Sequence, residues 1–134
     1  DLFPPWDETK AAVWAAADLS VGRLSEFRRE HGFYVERVVE WTTRQLPPGW
    51  GSRSTNFEVD GVQVKAIHPH DLICAKLIAG RSKDFAFIRS ALELQLTTIA
   101  DFEAFVLQNV DDDASQKTLC RLLRTAEKYQ EEPC

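Results

Sequence analysis

Methionine is absent from all 134 residues, so the sequence holds no initiator. The expectation is a piece of a longer or processed protein, with Asp1 standing mid-domain. Long apolar runs are missing too. None approaches the roughly 20 residues that a bilayer-spanning helix needs. No basic-then-apolar signal opens the chain, which argues against secretion and for a cytoplasmic protein. Cysteine is sparse and odd in number: Cys74, Cys120 and Cys134. Their spacing fits no zinc motif. Cys74 and Cys120 fall within apolar helical patterns and are expected to be small core residues in a reducing compartment. Positive charge is in deficit, the formal net charge being −5. Non-specific nucleic-acid binders usually carry the opposite sign, although local basic patches could still bind phosphate. Also missing are a glycine-rich phosphate loop and any readable Ser/His/Asp arrangement.

What remains is ordinary for a folded domain: 44% hydrophobic and 28% charged residues. The length suffices for one domain with a core, and no low-complexity linker divides it. The expected organisation is a single α+β domain. Helices and a hairpin occupy 1–67, and a helical part occupies 68–134.

Asp1-Leu2-Phe3-Pro4-Pro5 suggests a strand end running into a turn. An alanine-rich helix is expected from Glu8 to about Leu19, with Gly22 stopping it. A short helix should follow and end at Gly32, and a third should cover Phe33 to Arg44. Pro47-Pro48-Gly49-Trp50 is expected to be a loop. The β signal is clearest at Phe57 and Val59, then Asp60-Gly61, then Val62, Val64 and Ala66. Asp-Gly between alternating runs predicts a two-residue hairpin turn. The strands should lie near Ser54–Val59 and Val62–Ile67, as part of a small mixed sheet.

Helical patterns fill the rest. His68-Pro69 should open a helix running to Ala79, and Gly80 should cap it. Ser82 is the expected cap of the next helix, with Asp84 in its first turn and Phe85, Ile88 and Leu92 inside. Thr98 should cap a helix carrying Phe102, Phe105 and Val106. Asp111 to Asp113 form a polar break, more consistent with a solvated cap than with a calcium loop. Leu119, Leu122, Leu123, Ala126 and Tyr129 then define the inner face of a final helix.

The segment 68–84 concentrates the chemistry. Its helix is apolar nearly all round, which implies burial, and Lys76 is the lone cation in it. A buried ammonium is costly unless it is paired or faces a polar cavity. Lys76 could therefore meet a phosphate or a carboxylate in a cleft, or could snorkel with a wet tip. Arg81 and Lys83 could bind an anion beside the next helix start, or form a solvated turn. Asp84 could pair with Lys76 or serve only as a helix-start charge. His68 and His70 flank Pro69 as metal ligands or, more simply, as groups bonding the turn.

At these residues the chain resembles a known family. His68-Pro69-His70-Asp71-Leu72, Lys76-Leu77, Gly80-Arg81, Lys83-Asp84 and Phe87 resemble a signature of bacterial nucleotidyltransferase-like proteins. These are related to AbiE-type abortive-infection toxins within the DNA polymerase β superfamily. Leu46-Pro47-Pro48-Gly49-Trp50 with Arg53 is similar to that family's loop before the hairpin, and Asp1-Leu2-Phe3 to the end of its metal motif. The resemblance spans roughly Asp1 to Leu92.

It implies transfer of a nucleotidyl group from a Mg-bound (or Mn-bound) nucleoside triphosphate to a hydroxyl of an RNA, a protein or a small molecule. It also implies a site: Asp1 as a metal ligand, Lys76 and Asp84 as catalytic residues, and Lys76, Arg81 and Lys83 at the nucleotide. A cytoplasmic bacterial protein with a cognate antitoxin would fit. The family's first metal carboxylate and its Gly-Gly or Gly-Ser phosphate loop would precede Asp1, and Glu58 and Asp60 are nearby candidates for the third carboxylate. The chain by itself is therefore expected to be inactive. Two other readings compete. One is a non-catalytic interaction module in which Lys76 pairs with a carboxylate and the helices dock a partner. The other is a plain helical scaffold.

Overall fold

The turn residues punctuate the chain where the sequence places them. In the computed structural model, which describes residues 8–35 and 45–129, Asp60 and Gly61 have φ of 49° and 79°. Both central residues of a type I′ turn need positive φ, and Asp-Gly tolerates this better than most pairs. The strands β1 (Thr55–Val59) and β2 (Val62–Ala66) pair antiparallel around it, with Val59 opposite Val62 and Thr55 opposite Ala66. Among the described residues the small mixed sheet is this one antiparallel pair. Every β1 side chain is exposed.

The molecule divides into two compact units, Asp1–Trp41 and Thr42–Cys134. In the first lie α1 (Glu8–Val21) and α2 (Glu26–His31). Ser25 caps α2, its Oγ accepting from the Arg28 N–H, and Gly32 ends the helix with φ 77°. The expected third helix falls mostly outside the described residues. Its first members, Phe33 to Val35, are not helical, and the Val35 N–H bonds back to the Val21 carbonyl. Asp1, Trp6, Trp41, Arg44 and Cys134 also lie outside the described residues.

The second unit is mostly helical, an α+β arrangement of hairpin and helices. The proline-rich loop does not stay a loop throughout: Trp50–Arg53 forms one helical turn, α3. Beyond the hairpin come α4 (Pro69–Ala79), α5 (Ser82–Glu93), α6 (Ile99–Asn109) and α7 (Asp113–Glu127). The His68 ring caps α4, its Nδ1 accepting from the His70 N–H at 3.3 Å. Gly80 ends α4 at φ 63°, donating to the Lys76 carbonyl. Thr98 caps α6 and Asp112 caps α7, which accounts for the aspartate run. One expected cap moves: Arg81, not Ser82, precedes α5, and Ser82 is already helical.

Each of these helices gives a stripe to one core: Ile73, Cys74 and Leu77 from α4, Ile88 from α5, Phe102, Phe105 and Val106 from α6, and Leu119, Leu123 and Ala126 from α7. Phe85 and Leu92 pack partly buried against it. The α4 helix is less evenly covered than its composition suggests. Ile78 is exposed, whereas the carboxylate of Asp71 is fully buried.

Cys74 and Cys120 are free thiols within or against this core. Burial, with the nearby Asp71 charge, pushes the Cys74 thiol up to about 12. At pH 8 only about one molecule in 10⁴ then carries a thiolate there, and the thiolate is the reacting form. In the folded protein Cys74 should resist iodoacetamide at pH 8 and label only in denaturant. Peptide mass spectrometry would detect the contrary result, rapid native labelling of Cys74.

Candidate nucleotide-facing site

Gly80 reverses the chain between α4 and α5 in two residues. That reversal brings the last turn of α4 against the first turn of α5 and gathers Lys76, Arg81 and Asp84. Asp84 is fully buried, and both of its oxygens are engaged. Arg81 Nε donates to Oδ2 at 2.6 Å and Arg81 Nη2 to Oδ1 at 3.2 Å, while Lys76 Nζ donates to Oδ1 at 3.3 Å. The Lys76 ammonium also stands 4.4 Å from the centre of the Phe87 ring, a cation–π distance.

Burial opposes the Asp84 charge, but the hydrogen bonds and charges of Arg81 and Lys76 outweigh it and hold the carboxyl below its ordinary range. Only the carboxylate side of the cluster is buried. The Lys76 and Arg81 side chains are 24% and 60% exposed. Both cations reach outward from the carboxylate they share. Lys83 is exposed beside them at the start of α5, where the helix dipole also favours an anion. Four residues singled out in the sequence, Lys76, Arg81, Lys83 and Asp84, thus share one junction. Asp1 lies outside the described residues.

A second buried carboxylate organises the opposite end of α4. Asp71, in its first turn, receives Arg53 in a two-pronged contact, Nε to Oδ2 at 2.9 Å and Nη2 to Oδ1 at 2.6 Å. The same guanidinium donates to Asn109 Oδ1 at 3.0 Å and lies 5.3 Å from the Phe105 ring centre. Arg53 thereby ties α3 to α4 and to the end of α6. Its role was invisible in the sequence, because pairing across 18 residues leaves no local period.

The histidines do not form a metal pair. His68 stacks on Phe105, with ring centroids 5.6 Å apart. His70 Nε2 lies 2.7 Å from the Thr97 hydroxyl. Burial, then the neighbouring His68, lowers the His70 pKa. Among the described residues no three His, Cys, Asp or Glu side chains cluster to hold a metal. Asp71 and Asp84 already face cations, while Glu58 and Asp60 are exposed around the hairpin turn. The described donors by themselves do not fit a catalytic metal. Nor, among the described residues, is any helix long and apolar enough to cross a membrane.

The family described as "Nucleotidyltransferase of unknown function (DUF6036)" matches residues 18–131. Neither a curated protein nor a solved structure matches the chain.

Proposed function

Because the chain belongs to this family of nucleotidyltransferases of unknown function, we propose that its α4–α5 junction serves the nucleotide side of nucleotidyl transfer. The substrate in this reading is a nucleoside triphosphate that brings its own Mg or Mn. The acceptor is a hydroxyl of an RNA, a protein or a small molecule. The observation that carries the reading is that Lys76 and Arg81, both reaching solvent, are held together on one buried carboxylate. Fixed cations of this kind stabilise charge on phosphate oxygens without reorganising during the reaction.

Lys76 is the residue placed at the phosphates. Arg81 and Lys83 border it, and Asp84 acts as a positioning residue that fixes both cations. A metal site would have to include carboxylates from outside the described residues, Asp1 among them. The segment from His68 to Phe87 further supports kinship with AbiE-type toxins, and with it a bacterial cytoplasmic setting and a cognate antitoxin.

A second reading also has an observation in its favour. Lys76 is paired with Asp84, as a non-catalytic interaction module would have it.

Label transfer from α-labelled nucleoside triphosphates separates the two. The native protein containing this chain would be incubated with Mg²⁺ or Mn²⁺ and with RNA or protein acceptors. Lys76→Ala should leave the fold intact, since Arg81 still holds Asp84, and reduce transfer about a hundredfold. A folded native protein that transfers no label under any of these conditions would leave the module reading standing. Transfer undiminished in Lys76→Ala would remove Lys76 from the site.

A further inference from the structure

The chain is acidic overall, yet α7 and its C-cap carry Lys117, Arg121, Arg124 and, at the cap, Lys128, at intervals of four, three and four residues. At 100° per residue these four positions fall within about 60° of the helix circumference. The opposite face of α7 is spoken for, with Leu119, Leu123 and Ala126 in the core. The cations line an open groove of about 820 Å³, together with Glu103 of α6, Cys120, Thr125 and Tyr129.

Two of the cations have local partners. Lys117 bonds Asp113 at 2.6 Å in the open, and Arg124, itself exposed, bonds the half-buried Glu103 at 2.7 Å. Exposed pairs of this kind are weak and exchange readily with other anions. Arg121 and Lys128 have no carboxylate partner among the described residues. The stripe thus sets four cations against two carboxylates, Asp113 and Glu103, on a chain whose net charge is −5. Tyr129 closes one end. Its carbonyl accepts from Arg89 at 2.7 Å, and its ring lies 5.8 Å from Phe85, which fixes the ring's position.

We propose that this α7 groove binds the phosphodiester backbone of a single-stranded RNA. The stripe runs about 16 Å along the helix axis, comparable with the shortest single-strand sites of about four nucleotides. A regular row of cations suits a regular polyanion, and an aromatic ring at its end offers a stacking platform for a base. A bilayer fits less well, because the apolar side of α7 is already inside the core and membrane-lying helices need that side. That the bound RNA is the acceptor of nucleotidyl transfer rests on the function proposed above; the binding itself does not.

The test needs no nucleotide and no catalysis. Fluorescence anisotropy of a labelled oligouridylate would be followed with the native protein between about 50 and 200 mM salt. Four phosphate contacts predict a slope of about −3 in log affinity against log salt. Arg121→Glu with Lys128→Glu should weaken binding at least tenfold and flatten that slope. Arg121→Gln with Lys128→Gln should fall between this variant and the native protein. Lys65→Glu, on the hairpin, should bind as the native protein does. Circular dichroism would confirm that the α7 variants stay folded, as expected for exposed helix positions. Affinity unchanged by the double reversal would overturn the proposal. So would a preference for anionic vesicles or a poly-glutamate peptide over the oligouridylate. RNA binding that persists when no label transfer is found would uphold the groove while removing the enzyme reading.

Discussion

Replacing Arg53 with alanine is expected to lower the unfolding free energy by about 3–5 kcal/mol, the cost of stripping a buried ion of its partner. Asp71 is fully buried, and Arg53 makes two of its hydrogen bonds from a side chain only 22% exposed. Arg53 itself is held more firmly protonated than a free arginine, chiefly by the Asp71 hydrogen bond. Removing it strands the carboxylate. It also takes away the donor to Asn109 and the cation over Phe105. The double variant Arg53→Ala, Asp71→Ala should be no less stable than the single one, because the stranded charge is then gone. Urea unfolding measures both. A loss below about 1 kcal/mol in the single variant would place this pair among ordinary surface salt bridges.

Asp84→Asn is the second large effect, about 2–4 kcal/mol destabilising. The amide keeps the shape but presents an NH₂ group and no charge to Lys76 and Arg81. The cost is smaller than at Arg53 because both cations retain access to water.

The pH dependence has a definite sign. The folded Asp84 carboxyl titrates below its ordinary value, so its contribution is complete above the unfolded value of about 3.9. It is lost as pH falls from there through the lower folded value. Native protein should therefore lose stability over that acid window, and Asp84→Asn should lose less across it. Chemical denaturation at a series of pH values from neutrality downward would show this. Parallel acid profiles for the two proteins would mean that Asp84 is not the group responsible.

The elements most legible in the sequence are those bounded by residues with a backbone requirement. Asp60-Gly61 located the hairpin, Pro69 and Gly80 bracketed α4, and Thr98 marked the start of α6. Each acts through its own φ or its own hydrogen bond, so one residue suffices to show it. The cap of α5 was misplaced by one residue for a related reason. Serine is the commoner cap, but the two-pronged grip of Arg81 on Asp84 holds Arg81 extended at that position and Ser82 inside the helix.

At the candidate site, spacing made Lys76 and Asp84 plausible partners. Choosing among the alternatives required seeing Arg81 close over the same carboxylate. The Arg53–Asp71 pair and the His70–Thr97 contact join residues 18 and 27 positions apart, and no periodicity carries that information. The α7 cations differ again. Their 4-3-4 spacing was readable, but the apolar residues that define the inner face drew the pattern.

The hairpin of β1 and β2 sets a clock of its own. No side chain in either strand is buried, and only Val64 and Lys65 are even partly covered. Two strands without a covered face are marginal in water. Their ladder amides should therefore exchange with solvent deuterium through a local opening that leaves the four-helix core closed. The slowest amides should be those of α4, α6 and α7, which open only when the whole core does.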